Sequence, residues 1–105
     1  MKNALDILNE YWQRTYGDPP VTEADDIYER LNEFEAILVD DEDRHRWWIT
    51  MRKVIQVGDS FISYGDAQTT GDSSPREVGW EFDPESMEVV YPITRTVVDY
   101  VSKKI

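Results

Sequence analysis

The chain has 105 residues, the size of one domain, and its 22 acidic and 11 basic side chains give a formal charge of −11 at pH 7. This charge opposes direct contact with nucleic acid phosphates or with an anionic membrane surface, because both require lysine and arginine. The sequence contains no cysteine, which excludes a disulfide scaffold, a thiolate metal site and a cysteine nucleophile.

The negative charge is concentrated in the first two fifths of the chain. Residues 1 to 43 carry thirteen acids and three bases, a net charge of −10. Residues 44 to 105 carry nine acids and eight bases, a net charge of −1. This asymmetry is the strongest indication of function in the sequence, because a concentrated charge favours a partner of opposite sign.

Three- and four-residue spacing of apolar side chains predicts a first helix over residues 3 to 16. Asn3 and Asp6 have the spacing of a capping box at its start. Gly17, followed by Asp-Pro-Pro, is a typical stop signal.

The same spacing predicts a second helix over residues 22 to 38, with Thr22 as its N-cap and Asp25 at the capping-box position. Its predicted buried stripe consists of Ala24, Ile27, Leu31, Phe34 and Leu38. The opposite face is strongly acidic, so tertiary packing of the stripe must stabilise this helix.

Beyond the acidic run of residues 40 to 43, the period changes to two and predicts strands. The predicted strands are residues 47 to 57, 60 to 64, 78 to 82 and 87 to 92. Gly58-Asp59 is a two-residue hairpin turn, and Asp-Pro-Glu-Ser at residues 83 to 86 fits a type I turn. The run of residues 40 to 43 is then the connection between helix and sheet, and residues 65 to 76 form a loop.

These elements predict a single α+β domain over residues 1 to 105. Two N-terminal helices pack on a four-stranded antiparallel β-meander. Residues 94 to 105 fit either a short C-terminal helix or a fifth strand.

Patterns of catalytic and metal-binding sites are missing from the sequence. The acids of residues 40 to 43 lack the alternating ligands, central glycine and final glutamate of a calcium loop. His45 is the only histidine, and no nucleophile-elbow pattern accompanies it. We therefore expect no catalytic residue, no cofactor and no metal, and we do not expect an enzyme.

Aromatic side chains offer a second kind of binding surface. Trp47, Trp48, Tyr64, Trp80 and Tyr91 lie in or near predicted strands and could stack bases or sugars if they shared one exposed sheet face. A small domain also needs large side chains in its core, so the favoured interpretation is that most of these aromatic residues lie in the core.

The acids of the second helix and of the run that follows it are predicted to form one negative surface for a partner. The candidate binding residues are Asp25, Asp26, Glu29, Glu33, Asp40, Asp41, Glu42 and Asp43, with Trp48 as an aromatic anchor. The alternative is a solvated acidic face that binds nothing.

The sequence thus predicts a non-enzymatic cytoplasmic protein that inhibits a basic nucleic-acid-binding protein by mimicking the charge of nucleic acid. In size and charge alone, the chain is similar to small acidic bacteriophage proteins that act against host restriction or CRISPR machinery. The expected partner is a basic protein, such as a nuclease, with no direct nucleic acid and no membrane, and the chain is a monomer or homodimer.

Two alternatives stay open. One is an immunity or antitoxin protein that neutralises a basic nuclease toxin. The other is a small ligand-binding domain that uses an aromatic sheet face.

Overall fold

A computed structural model describes residues 2–45, 48–69 and 79–93. Two helices precede a four-stranded antiparallel sheet of order β1-β2-β3-β4, which is the predicted α+β meander. The elements are α1 (Ala4–Tyr16), α2 (Ala24–Asn32), β1 (Leu38–Arg44), β2 (Trp48–Val57), β3 (Ser60–Thr69), a 3₁₀ turn (Pro84–Ser86) and β4 (Glu88–Val90). The predicted element of residues 94 to 105 lies outside the described residues.

The caps predicted for α1 are confirmed. The amide of Asp6 donates to the side chain of Asn3 at 2.9 Å, and the amide of Asn3 donates back to the carboxylate of Asp6 at 3.4 Å. Gly17 ends the helix in the left-handed conformation, with φ of 73°, and its amide donates to the carbonyl of Gln13 at 2.9 Å. A side chain here would oppose that φ, so glycine suits this C-cap. In the part of the chain that the structure describes, no helix is long and apolar enough to cross a membrane.

The predicted boundaries of the second helix are wrong at both ends. Its N-cap is Glu23 rather than Thr22, and no side chain caps it. Its last residue is Asn32, so the predicted stripe position Leu38 belongs to the sheet instead. Apolar spacing alone does not distinguish a final helical turn from an extended segment that also buries alternate side chains.

Sheet pairing ends the helix early. Phe34 still packs against the aromatic rings of α1, but the amide of Ile37 already donates to the carbonyl of Val54 at 2.8 Å. Two glutamates also follow within three residues of Asn32. The dipole of a longer helix would disfavour them at its C-terminus.

The number of strands is as predicted, but two of their positions are not. The acidic run at residues 40 to 43 is part of β1 and not a connection. Residues 79 to 82, predicted as a strand, have no strand structure, because β3 pairs directly with the short β4. β3 continues to Thr69, through residues predicted as a loop.

The turn between β2 and β3 sets the register of the whole sheet. Val57 pairs with Ser60 across the predicted Gly58-Asp59 turn. The φ of Gly58 is 61°, and no positive φ occurs at Asp59. Positive φ at the first central position alone is the pattern of a type II′ turn, whose twist matches that of the strands it joins.

One face of the sheet packs under the two helices. Ile55 and Ile62 are paired across β2 and β3, are fully buried, and pack with Leu8 of α1 and Ile27 of α2. Tyr64 of β3 lies on the same face and is also buried. Burying each large apolar side chain contributes about 1.5 to 3 kcal/mol, so this layer is a major stabilising contribution to the fold.

A buried ion pair ties α2 to the centre of the sheet. The ammonium of Lys53 on β2 lies 2.7 Å from the carboxylate of Asp66 on β3, and Asp66 is only 4% exposed. The other oxygen of this carboxylate accepts from the hydroxyl of Tyr28 on α2 at 2.5 Å and from the amide of Ala67 at 2.7 Å. The carboxylate is therefore neutralised and hydrogen-bonded, which a buried charge requires.

Substitution of Asp66 by alanine is expected to destabilise the fold strongly. It leaves Lys53 without its counter-ion in a mostly buried site, at a cost of about 3 kcal/mol in the free energy of unfolding. The surface pair Lys2–Glu10 provides the matched control, since its atoms are 2.6 Å apart but exposed. Glu10→Ala should cost less than about 1 kcal/mol. Urea denaturation at pH 7 measures both, and equal losses would contradict the assigned role of burial.

The buried carboxylate also makes the fold sensitive to alkaline pH. Burial, followed by the hydrogen bond to Asp66 and the charge of Asp66, raises the pKa of Tyr28 from 10.0 to about 12. Burial and the same charge raise the pKa of Tyr64. Both phenols are held neutral in the folded state. The contribution of Tyr28 is complete below pH 10 and is lost as the pH rises from 10 through 12.

We expect the free energy of unfolding of the wild-type chain to fall between pH 9 and pH 11.5 by more than that of Tyr28→Phe. Lysine side chains lose their protons in both proteins, so the difference isolates the phenol of Tyr28. Urea denaturation across this range measures it, with phenolate absorbance as a second readout. Parallel pH profiles of the two proteins would show that Tyr28 titrates normally.

Candidate partner-binding surface

Four consecutive acids lie on β1, at the edge of the sheet. We call Asp40, Asp41, Glu42 and Asp43 the strand acids. Asp40 pairs with Arg52 and Asp43 pairs with Thr50, so β1 contains one more residue than β2 over this stretch. This is a β-bulge, and Asp41 within it has a left-handed φ of 54°. Bulges and charges are common at sheet edges, where they discourage pairing with another strand.

The strand acids are only partly neutralised. Nε of Arg52 lies 3.3 Å from the carboxylate of Asp40 and 3.6 Å from that of Asp41. The side chains of Asp41 and Asp43 are 71% and 74% exposed. Exposed ion pairs of this kind are weak, so a basic side chain of another molecule can replace Arg52 at these carboxylates.

His45 and Trp48 flank the other end of the strand acids. Nε2 of His45 is 3.6 Å from the carboxylate of Asp43 and 3.3 Å from Oγ1 of Thr50. A catalytic triad needs the acid and the hydroxyl on different ring nitrogens, whereas both lie near the same one here. The imidazole also packs against the half-buried Trp48, with ring centroids 5.5 Å apart. His45, Asp43 and Thr50 thus form an exposed polar cluster beside the half-buried Trp48.

Acids in and beside α2 line a second feature, a shallow cavity of about 280 Å³ that we call the helix depression. Asp18, Asp26, Glu29, Glu33, Arg30, Trp12 and Val21 line it. Arg30 is 9% exposed and lies over the ring of Trp12, 5.4 Å from its centroid. Asp25 is exposed on the same helix.

Hydrogen bonds hold Arg30 in place at this depression. Its guanidinium donates to the side-chain oxygen of Asn9 at 3.0 Å and to the carbonyl of Pro19 at 2.8 Å. Asn9 in turn exchanges two hydrogen bonds with the backbone of Val21. Arg30 is thus fixed as part of the α1–α2 connection, and the four carboxylates that line the depression outnumber it.

The predicted binding residues therefore fall into two groups. Asp26, Glu29 and Glu33 line the helix depression, whereas Asp40 lines a different cavity on the face of the sheet opposite α1 and α2. The prediction treated them as one run, because it assigned residues 33 to 38 to a helix leading directly into an acidic connection.

The second cavity, which we call the open-face groove, has a volume of about 480 Å³. Its lining residues are Ile37, Leu38, Asp40, Arg52, Val54, Phe61, Val90, Tyr91, Pro92 and Ile93. Sequence reasoning missed the groove because it placed Leu38 in a buried helical stripe. The available signal was the run Ile-Leu-Val directly before the strand acids, which suits the start of a strand as well as the end of a helix.

The aromatic residues do not share one face. Tyr64 is buried beneath the helices, as the core interpretation predicted, and Trp80 packs edge-on against Tyr28. Trp48 lies on the opposite face from Tyr64, since their positions in the β2–β3 register alternate. Tyr91 is 71% exposed at the open-face groove, and Trp47 lies outside the described residues.

Within residues 2–45, 48–69 and 79–93, no group of three or more His, Asp or Glu side chains is arranged to hold a metal ion. Comparisons of the chain with known protein families, with curated proteins and with solved structures find no match.

The bulge in β1 makes a specific prediction for Asp41. An L-residue in the left-handed conformation costs roughly 1 to 2 kcal/mol, and aspartate tolerates it better than a β-branched residue does. Asp41→Gly should therefore leave the free energy of unfolding unchanged or slightly raised, and Asp41→Val should lower it by about 1 kcal/mol or more. Urea denaturation compares the two variants, and equal stabilities would mean that the bulge is not required.

Proposed function

We propose that this chain is a non-enzymatic protein that binds a basic nucleic-acid-binding protein and blocks its nucleic acid site by charge mimicry. The observation that carries the proposal is the row of strand acids on a bulged sheet edge. Successive strand residues rise by about 3.3 Å. One strand of B-DNA carries a phosphate for each 3.4 Å or so of helix axis, so the strand acids, counted over both faces of the edge strand, approach the charge density of one strand of the duplex.

Edge protection alone accounts poorly for this row. Charges and a bulge already discourage pairing at a sheet edge, whereas β1 carries four consecutive acids, two of which are paired with Arg52. Their mutual repulsion opposes folding. A basic surface on a partner would remove this repulsion and would also steer the partner towards the complex.

The helix depression supports a second contact of the same kind. Its four carboxylates surround a space of about 280 Å³ whose one cation, Arg30, is hydrogen-bonded to the α1–α2 connection. A lysine or arginine side chain of the partner would find unmatched negative charge there. Two acidic surfaces can hold a partner that has basic residues on two walls of a groove, as a nucleic acid channel has.

The partner that we propose is a component of host defence, such as restriction or CRISPR machinery, inhibited by a phage-encoded protein in the cytoplasm. The same two surfaces would serve an immunity protein against a basic nuclease toxin. The identity of the captured partner separates these two settings.

Neutralising the strand acids should slow association with the partner. The strand variant combines Asp40→Asn, Asp41→Gly, Glu42→Gln and Asp43→Asn, and the helix variant combines Asp26→Asn, Glu29→Gln and Glu33→Gln. Immobilised wild-type protein first captures basic proteins from a nuclease-treated lysate, with elution in a salt gradient and identification by mass spectrometry. For the purified partner, we expect an association rate at low salt that is about tenfold slower with the strand variant.

A displacement assay tests the mimicry itself. The wild-type chain should release a fluorescently labelled duplex from the partner, and the strand variant should need about tenfold more protein to do so. A control that removes the same number of charges at exposed sites elsewhere combines Asp59→Asn, Glu81→Gln, Glu85→Gln and Glu88→Gln. A partner that holds the duplex and this chain at the same time would contradict the proposal, as would equal association rates for the wild type and the strand variant.

A further inference from the structure

The open-face groove exposes a continuous set of apolar side chains. Leu38, Tyr91 and Ile93 are 49%, 71% and 69% exposed, and they line one cavity with Val54 and Phe61. The cavity reaches from the β1 edge of the sheet to the residues that follow β4 at the other edge. Apolar patches of this kind on a protein surface mark sites of interaction.

The sheet register places this groove directly beside the strand acids. Leu38, Val54 and Ser63 are paired across β1, β2 and β3, and Asp40 and Arg52 form the next pair on the same face. Asp40 and Arg52 therefore line the groove while they also begin the acidic row. Asp40 and Arg52 form the rim of the groove on this side. Any segment that enters the groove past this rim passes the carboxylates of Asp40 and Asp41.

From this arrangement we infer that the groove binds an apolar or aromatic side chain of a partner segment whose neighbouring residues are lysine or arginine. The inference rests on the proposed function and specifies the partner's chemistry at the same surface. The apolar side chain fills the groove while its basic neighbours lie against the strand acids. The volume of about 480 Å³ falls within the range of roughly 300 to 1,000 Å³ typical of ligand pockets, so one large aromatic side chain can be accommodated.

Charge favours this occupant over the alternatives. A second copy docked face to face would bring two rows of strand acids together, each with Arg52 as the cation paired to it, and like charges repel. An anionic lipid surface would meet the same repulsion. A basic segment gains attraction from the rim and burial from the groove.

Three nine-residue peptides test the inference on the full chain. The first alternates lysine with leucine around a central tryptophan. The second keeps the lysines and replaces every apolar residue with serine, and the third keeps the apolar residues and replaces every lysine with glutamate. Amide chemical shifts of the ¹⁵N-labelled chain report where each peptide binds and how tightly.

We expect the first peptide to bind about tenfold more tightly than the second, because only the first buries apolar surface. Its shifts should centre on Leu38, Val54, Phe61 and Val90. The third peptide should bind at least tenfold more weakly than the first, owing to repulsion by the strand acids.

Exposed positions allow substitutions that spare the core. Tyr91→Ser and Leu38→Ser should each weaken binding of the first peptide until its affinity equals that of the second. Neither substitution should change the affinity of the second peptide. Tyr16→Ser is the matched control, since Tyr16 is an exposed aromatic of α1 at 61% exposure. It should change neither affinity.

The outcomes separate this inference from the proposed function. Equal binding of the two lysine peptides would overturn the groove as an apolar site while leaving charge recognition intact, and failure of both to bind would contradict charge recognition as well. Tight binding of the third peptide would overturn the requirement for basic neighbours. A dimer in sedimentation velocity that Tyr91→Ser dissociates would assign the groove to a second copy and overturn the inference.

Discussion

The register between β2 and β3 decides which side chains meet the helices and which face outwards. The turn at Gly58 pairs Val57 with Ser60, and regular pairing continues to Trp48 and Thr69. Because side chains alternate along a strand, a slip of one residue would exchange the two faces completely. Ile55 would leave the core, and the groove residues would turn towards the helices. Both the stability of the fold and the shape of the candidate surface depend on this one pairing.

Adjacent basic residues on β2 show what this alternation does to charge. Lys53 points into the covered face and is held by Asp66 there, with its side chain 20% exposed. Arg52 points into the open face, where exposed carboxylates hold it. One cation thus stabilises the interior and is unavailable to a partner, while its neighbour shapes the surface. Arg52 and Lys53 are thus divided between the two faces, and Lys53 does not neutralise the strand acids.

Local signals in the sequence predicted the caps of α1 and the β2–β3 turn, although the local signal for Thr22 as the N-cap of α2 was wrong. The capping box at Asn3, the stop at Gly17 and the hairpin turn at Gly58 depend on a few neighbouring residues, and all are confirmed. The end of α2 and the identity of β1 depend on distant pairing with Val54 and its neighbours, and the local run Ile-Leu-Val does not distinguish this strand from the end of a helix. For the same reason the sequence indicated that the acids were exposed, but not that they form two groups or that a groove adjoins one of them.

Charge and apolar contact have different consequences for a protein that acts by mimicry. A row of carboxylates attracts many basic proteins and mainly accelerates encounter, so charge alone gives speed with little selectivity. Selectivity requires a contact that only the correct partner makes well, and buried aromatic or apolar anchors commonly supply it. The strand acids and the open-face groove share Asp40 and Arg52, so the two contributions meet at one rim. A partner guided by charge would therefore reach the groove at once, and its dissociation rate would depend on how well its side chain fills that space.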